Sequence, residues 1–115
     1  MAPDTPNPLL PGTLDMLILK TVALEPMHAF GIGVRLTQIS RGVFQVNAGS
    51  LFPAFRRLER DGLVKSEWRE TENNRRGKYY ALTARGRRAL EAQTESWQQQ
   101  SRAIDRILDA TPEEI

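Results

Sequence analysis

The chain contains no cysteine and a single histidine, His28. Without thiols there are no disulfides, no thiolate metal ligands and no cysteine nucleophile. One isolated imidazole cannot assemble a zinc centre or a Ser-His-Asp constellation, so the hydrolase classes built on those groups fall away. No apolar run approaches the roughly 18 residues of a membrane-crossing helix, and the proline-rich start lacks the basic segment that opens a secretory signal. Glycine-rich phosphate loops and paired carboxylates at catalytic spacing are missing too, which argues against an enzyme. The expectation is a soluble, cytoplasmic protein that carries neither metal nor cofactor. Its 115 residues, 40% apolar and 26% charged, make one small globular domain. So short a chain buries under about three-quarters of its unfolded surface, so an apolar helix face with no partner in the chain reads as a dimer surface.

The net charge is only +2, but it is unevenly placed. Residues 1–46 are neutral, with Lys20, Arg35 and Arg41 set against Asp4, Asp15 and Glu25. Residues 47–88 carry eleven Lys or Arg and five acids, a balance of +6, whereas residues 89–115 stand at −4. A concentrated basic block is the electrostatic footprint of a phosphate-backbone binder. A solvated face is the ordinary alternative.

Pro3, Pro6, Pro8 and Pro11 remove backbone donors and favour extended chain, so residues 1–12 read as an arm. Thr13 reads as the N-cap of a first helix in which Leu14, Leu17, Ile18 and Val22 recur at helical spacing, until Glu25 and Pro26 end it. Met16, Leu19 and Ala23 make that helix apolar nearly all round, so it must be covered on several sides. A loop through Met27 and His28 leads to a second helix near residues 29–40, and a linker with Gly42 to a third, capped by Asn47. The third helix has a core stripe of Leu51, Phe55 and Leu58, other faces carrying Ser50, Arg56, Arg57 and Arg60, and an awkward Pro53 in its first turns. Alternation over residues 63–69 and 78–82 predicts a hairpin whose polar tip spans residues 71–77, with Trp68 and Tyr80 packed on the helices. Thr83 caps a last helix over residues 84–108, where Leu90, Trp97 and Ile104 recur every seven residues on a narrow seam suited to another helix.

Three helices, a hairpin with a basic tip and a trailing helix form a mostly α fold with the order of a winged helix-turn-helix domain, whose third helix enters the major groove. The chain resembles the PadR family of transcriptional regulators over about Leu10 to Leu108. Four segments carry the resemblance: LLPGTLDMLIL, HAFGI, GSLFPAFRRLERDGLV and GKYYALTARGRRAL. It departs from the family pattern at Phe30 and Phe52, where tyrosine is usual. The resemblance implies a DNA-binding domain over residues 13–82, a C-terminal dimerisation helix over 83–110 and a tail over 111–115. It also implies a homodimeric repressor, released by a small aromatic or drug-like effector, on double-stranded DNA with an inverted-repeat operator.

The residues expected at the DNA are Asn47, Ser50, Phe52, Arg57 and Arg60 from the third helix and Arg75, Arg76 and Lys78 from the hairpin. Leu14 and Leu17 with Leu90, Trp97, Ile104 and Leu108 are expected at the dimer interface. Trp97 follows Thr83 by fourteen residues in the string ESW, which is similar to multidrug-binding members of the family whose paired tryptophans sandwich a flat ligand. Those members have an acid one turn later, where this chain has Ser101. Plain interface packing is the simpler role for Trp97. A winged-helix module for protein contacts, with no operator, is the rival reading. His28 is expected to cap the second helix rather than to act as a switch.

Overall fold

The computed structural model describes residues 12–70 and 76–114. Along the chain run α1 (Thr13–Leu24), β1 (Met27–His28), α2 (Ala29–Ile39), α3 (Ala48–Arg60), β2 (Val64–Glu70), β3 (Arg76–Leu82) and α4 (Ala84–Leu108), followed by a 3-10 turn at Pro112–Glu114. Residues 1–11 of the expected arm and the hairpin tip with Arg75 lie outside the described residues.

Side chains start α2, α3 and α4. His28 Nδ1, Asn47 Oδ1 and Thr83 Oγ1 each accept the backbone N–H three residues on, from Gly31 at 3.0 Å, Ser50 at 3.0 Å and Gly86 at 2.9 Å. Each such bond satisfies a donor that the first turn leaves without a helical partner, a contribution of about 1 kcal/mol. At α1 the expectation of a Thr13 cap is corrected. Gly12 occupies the cap with φ 86°, a left-handed conformation open to glycine, and Thr13 is already helical. α3 is continuous across Pro53.

The sheet has three strands, not two. β2 and β3 pair antiparallel from Val64↔Leu82 to Glu70↔Arg76, and β1 joins the far edge of β3 through Met27↔Tyr80 and His28↔Tyr79. Two residues are too few to show strand alternation in a sequence, and only the open edge of β3 makes them a strand. β3 also begins at Arg76, so Arg76 and Gly77 belong to the strand and not to the tip.

The core gathers Ile18, Leu19 and Val22 of α1, Ile32 and Leu36 of α2, Leu51, Phe55 and Leu58 of α3, and Val64 and Tyr80 of the sheet. Burying a large apolar side chain of this kind stabilises the fold by about 1.5–3 kcal/mol. α1 is covered by α4, α2, α3 and β3, as its all-round apolar surface requires. Its one buried polar group, Thr21, donates from Oγ1 to the Leu17 carbonyl at 2.8 Å.

α4 rides on α1 by its first half only. Leu90, expected on the dimer seam, is 8% exposed and belongs to the core of its own chain, near Met16 and Leu17 of α1. Further along, Ile104 is 49% exposed and Leu108 76%. A helix of 25 residues is about 37 Å long. Its free half gives the molecule extents of 64 × 35 × 21 Å and a radius of gyration of 16.9 Å, against about 13 Å for a globule of this length.

At its start α4 presses on the entry to β2. Thr83 Oγ1 donates to the Gly62 carbonyl at 2.7 Å, and a Cβ on Gly86 would lie 2.0 Å from the Leu63 carbonyl oxygen. Gly86→Ala is therefore expected to destabilise the protein by about 2 kcal/mol or more, lowering the thermal midpoint by roughly 10 °C despite alanine's better helix propensity. Gly42→Ala, where a left-handed φ of 81° is the sole obstacle, should cost only about 1 kcal/mol. Melting curves followed by circular dichroism compare the two.

Candidate nucleic-acid interface

Residues 51, 54, 55 and 58 turn one side of α3 into the core. The opposite side is set by four-residue spacing, which stacks Phe52, Arg56 and Arg60 along one exposed stripe. Both flanks of this stripe are pinned. On one side Arg57 Nη2 bonds Asp15 Oδ1 of α1 at 2.8 Å. On the other Glu59 accepts from Ser66 Oγ at 2.6 Å and pairs with Lys78 Nζ at 3.6 Å, tying α3 to β2 and β3. Between these anchors Arg56 makes no ion pair among the described residues, and Arg60 meets only its exposed neighbour Asp61, at 3.4 Å.

The residues expected at DNA are thus divided by the structure. Phe52 and Arg60 share the outward stripe, and Ser50 is exposed in the first turn. Asn47 caps α3 with its side-chain oxygen, and Arg57 is turned toward α1. Arg56, absent from the expected set, completes the stripe. Its spacing from Phe52 and Arg60, opposite Leu51, Phe55 and Leu58, was the available signal.

In the hairpin, alternation places Ser66, Trp68 and Glu70 of β2 with Arg76, Lys78 and Tyr80 of β3 on the sheet face that meets α3. Tyr80 stacks on Phe55 with centroids 4.3 Å apart. Trp68 does not pack on the helices as expected. It lies two residues further out on β2, beyond the reach of α3, and is 58% exposed, with the Arg76 guanidinium 5.5 Å from its ring centroid. Arg69 pairs with Glu67 and lies over Tyr79 on the reverse face. Arg76 and Lys78 therefore stand on the sheet face beside α3, with Lys78 paired to Glu59 and Glu70 opposite Arg76. On this side, among the described residues, the cations without an acidic partner from another element are those of the α3 stripe. Arg75 lies outside the described residues.

Two further surfaces are concave. Phe30, Val34 and Phe52 line a hollow of about 680 Å³ between the beginnings of α2 and α3. At the α1–α4 contact, Trp97 and Met16 stand between hollows of about 320 Å³ and 570 Å³. Trp97 is 37% exposed, since α1 of its own chain covers part of the indole. No group of His, Asp or Glu able to hold a metal occurs among the described residues.

A 13-residue helix, about 20 Å long, with a basic outward stripe and a hairpin at its side matches the dimensions of a major groove roughly 12 Å wide. The profile of the transcriptional regulator PadR-like family matches residues 18–92. A PadR family transcriptional regulator from Eggerthella lenta superposes with a TM-score of 0.75 at 30% identity, covering 87% of this chain and 85% of that one. A PadR-like transcriptional regulator from Bacillus cereus shares the fold, with a TM-score of 0.78 at 24% identity over 87% and 95% of the two chains. A transcriptional regulator of Mycobacterium tuberculosis is 44% identical over 59 residues, which are 50% of this chain and 54% of that protein. The fold and its basic face define a winged-helix, DNA-binding regulator of transcription and not an enzyme. The chain belongs to the PadR-like family of transcriptional regulators.

The pinned and unpinned arginines are expected to behave differently. Arg56→Ala and Arg60→Ala should each weaken duplex binding and lower the slope of log K against log salt by about 0.9 for each phosphate that is no longer neutralised. Arg57→Ala should leave that slope in place and instead remove a partly exposed ion pair, at a stability cost below about 1 kcal/mol. Fluorescence anisotropy on duplex DNA across a salt series, with a thermal melt of each variant, makes the comparison.

Proposed function

We propose that the protein is a homodimeric repressor that holds an inverted-repeat operator with two copies of α3 and is released by a flat aromatic compound bound beside Trp97. The observation that carries the proposal is the free half of α4, where Ile104, Ile107 and Leu108 are exposed by 49%, 72% and 76%. Apolar side chains along one protruding helix mark an association surface, and a two-fold related α4 covers them with the same residues. Leu14 and Leu17, half-buried on α1, are further residues of the same interface in this reading. Residues 13–82 then act as the DNA-binding unit and α4 as the dimerisation helix. Two reading helices related by this axis engage half-sites about one turn of B-DNA apart, roughly 10 base pairs, or a multiple of it.

The effector reading rests on the surroundings of Trp97. Both hollows beside the indole are lined by α1 and α4 of one chain and open to solvent, and a second α4 packed over them would supply a further wall. Gln93 lines the smaller hollow, and its Oε1 is buried without a hydrogen-bond partner among the described residues. A bound molecule with an N–H or O–H donor relieves that penalty, about 1–3 kcal/mol for a buried unsatisfied group. The same stretch of α1 that lines these hollows at Met16 and Leu17 carries Asp15, which grips Arg57 of the reading helix. A guest that shifts α1 against α4 is therefore linked to the position of α3, and it changes operator affinity by its differential affinity for the two arrangements.

Sedimentation should find a dimer at micromolar concentration, and Ile104→Glu with Leu108→Glu should yield a folded monomer with weakened operator binding. A monomeric wild type with intact helices overturns the dimer. With Trp68→Phe, Trp97 is the sole emitter: planar aromatic compounds should quench or shift its emission. A water-exposed spectrum that none of them alters removes the effector site.

A further inference from the structure

We infer that Phe52 is a specificity-determining residue that reads the C5-methyl group of a thymine in the major groove. The inference rests on the reading of α3 as the groove-entering helix and adds to it the kind of base that the helix selects. Phe52 is the fifth residue of α3 and is 48% exposed, on the same stripe as Arg56 and Arg60. A recognition helix meets base edges with its N-terminal residues, so the position of Phe52 is that of a base reader, whereas Arg60 lies two turns further along. A phenyl ring has neither donor nor acceptor. It cannot bond a phosphate oxygen or the polar edges of guanine, adenine or cytosine, and the thymine methyl is the one apolar group that the major groove presents.

The neighbourhood is built for such a contact. Phe30, 77% exposed, and Val34 line the same hollow as Phe52, so the ring faces an apolar recess on the α2 side and a cationic stripe on the other. The arginines draw the helix onto the polyanion. Closure of the duplex against this surface then removes water from the phenyl ring and from whatever base edge meets it. A polar edge there would lose its water without gaining a partner, whereas a methyl group gains by the same closure. Discrimination arises from both effects, and it requires no hydrogen bond.

The test begins with operator sequences selected by the whole chain from a synthetic random duplex library, in which thymine is the sole source of a C5-methyl group. Each dT of a selected duplex is then replaced by dU, which removes only the methyl, and binding is measured for the wild type, Phe52→Ala and Phe52→Leu. The wild type should lose about fourfold in affinity at one or two positions of each half-site, the change expected for one buried methyl-sized group. Phe52→Ala should bind more weakly and lose nothing further at those positions, while Phe52→Leu, still apolar, should keep part of the sensitivity. Selected duplexes on which every dU is neutral for the wild type, or on which Phe52→Ala is as sensitive as the wild type, overturn the inference and leave the reading of α3 intact. A library that yields no enriched sequence overturns both. The wild-type dU series involves no protein substitution, so a variant that fails to fold does not remove the test.

Discussion

The stack of Phe55 on Tyr80 is the contact on which the rest of the arrangement depends. Its ring centroids lie 4.3 Å apart with 28° between the planes. Tyr80 sits in the central strand of the sheet, opposite Met27 on one side and Ser66 on the other, so a single ring contact ties α3 to all three strands. Such a pair contributes about 0.5–1.5 kcal/mol beyond its buried area. Glu59, one turn beyond Phe55, adds a second tie through Ser66 and Lys78. With the inner side of α3 held in this way, the outward direction of Phe52, Arg56 and Arg60 relative to the hairpin is no longer free. A surface that must meet a rigid duplex needs that kind of fixed relation between helix and wing.

α1 is the other organising element, because it touches both the reading unit and α4. A helix apolar on several sides has no stable solvated face, and here each side has a different neighbour. Ile18, Leu19 and Val22 fill the core, Asp15 reaches Arg57 of α3, and Met16 and Leu17 meet α4 beside Trp97. One polar contact, at Asp15, and three apolar ones, at Met16, Leu17 and Ile18, thus fall on four consecutive residues. A displacement of α1 large enough to change the Trp97 hollows would also move Asp15, since a packed helix shifts as a rigid body.

Much of this was legible in the chain. Caps at His28, Asn47 and Thr83 follow from side chains that accept a nearby backbone N–H, a local interaction that spacing alone reveals. The core stripe of α3 follows from helical period and the basic block from counting, whereas on α1 the core takes Leu19 along with Ile18 and Val22 and leaves Leu14 and Leu17 half-buried. What the sequence did not show at β1, Arg57, Trp68 and Leu90 shares a cause: each contact joins residues far apart in sequence. β1 exists because Tyr79 and Tyr80, more than fifty residues later, offer a strand edge. Arg57 turns away from the stripe because Asp15, 42 residues earlier, lies within reach. Trp68 is exposed because α3 ends short of the outer hairpin, and Leu90 is internal because α1 lies against the start of α4.

The sequence by itself determined where α2, α3 and α4 begin, which side of α3 is apolar, and that positive charge concentrates in the middle third, because capping, period and charge act over a few residues. The family resemblance was carried by the same local strings. Only the tertiary structure decided how the arginines divide between structural anchors and an open stripe, and which parts of the α4 seam are internal to one chain. Those outcomes turn on distances of a few ångströms between separate elements, and such distances are set by packing the whole core at once.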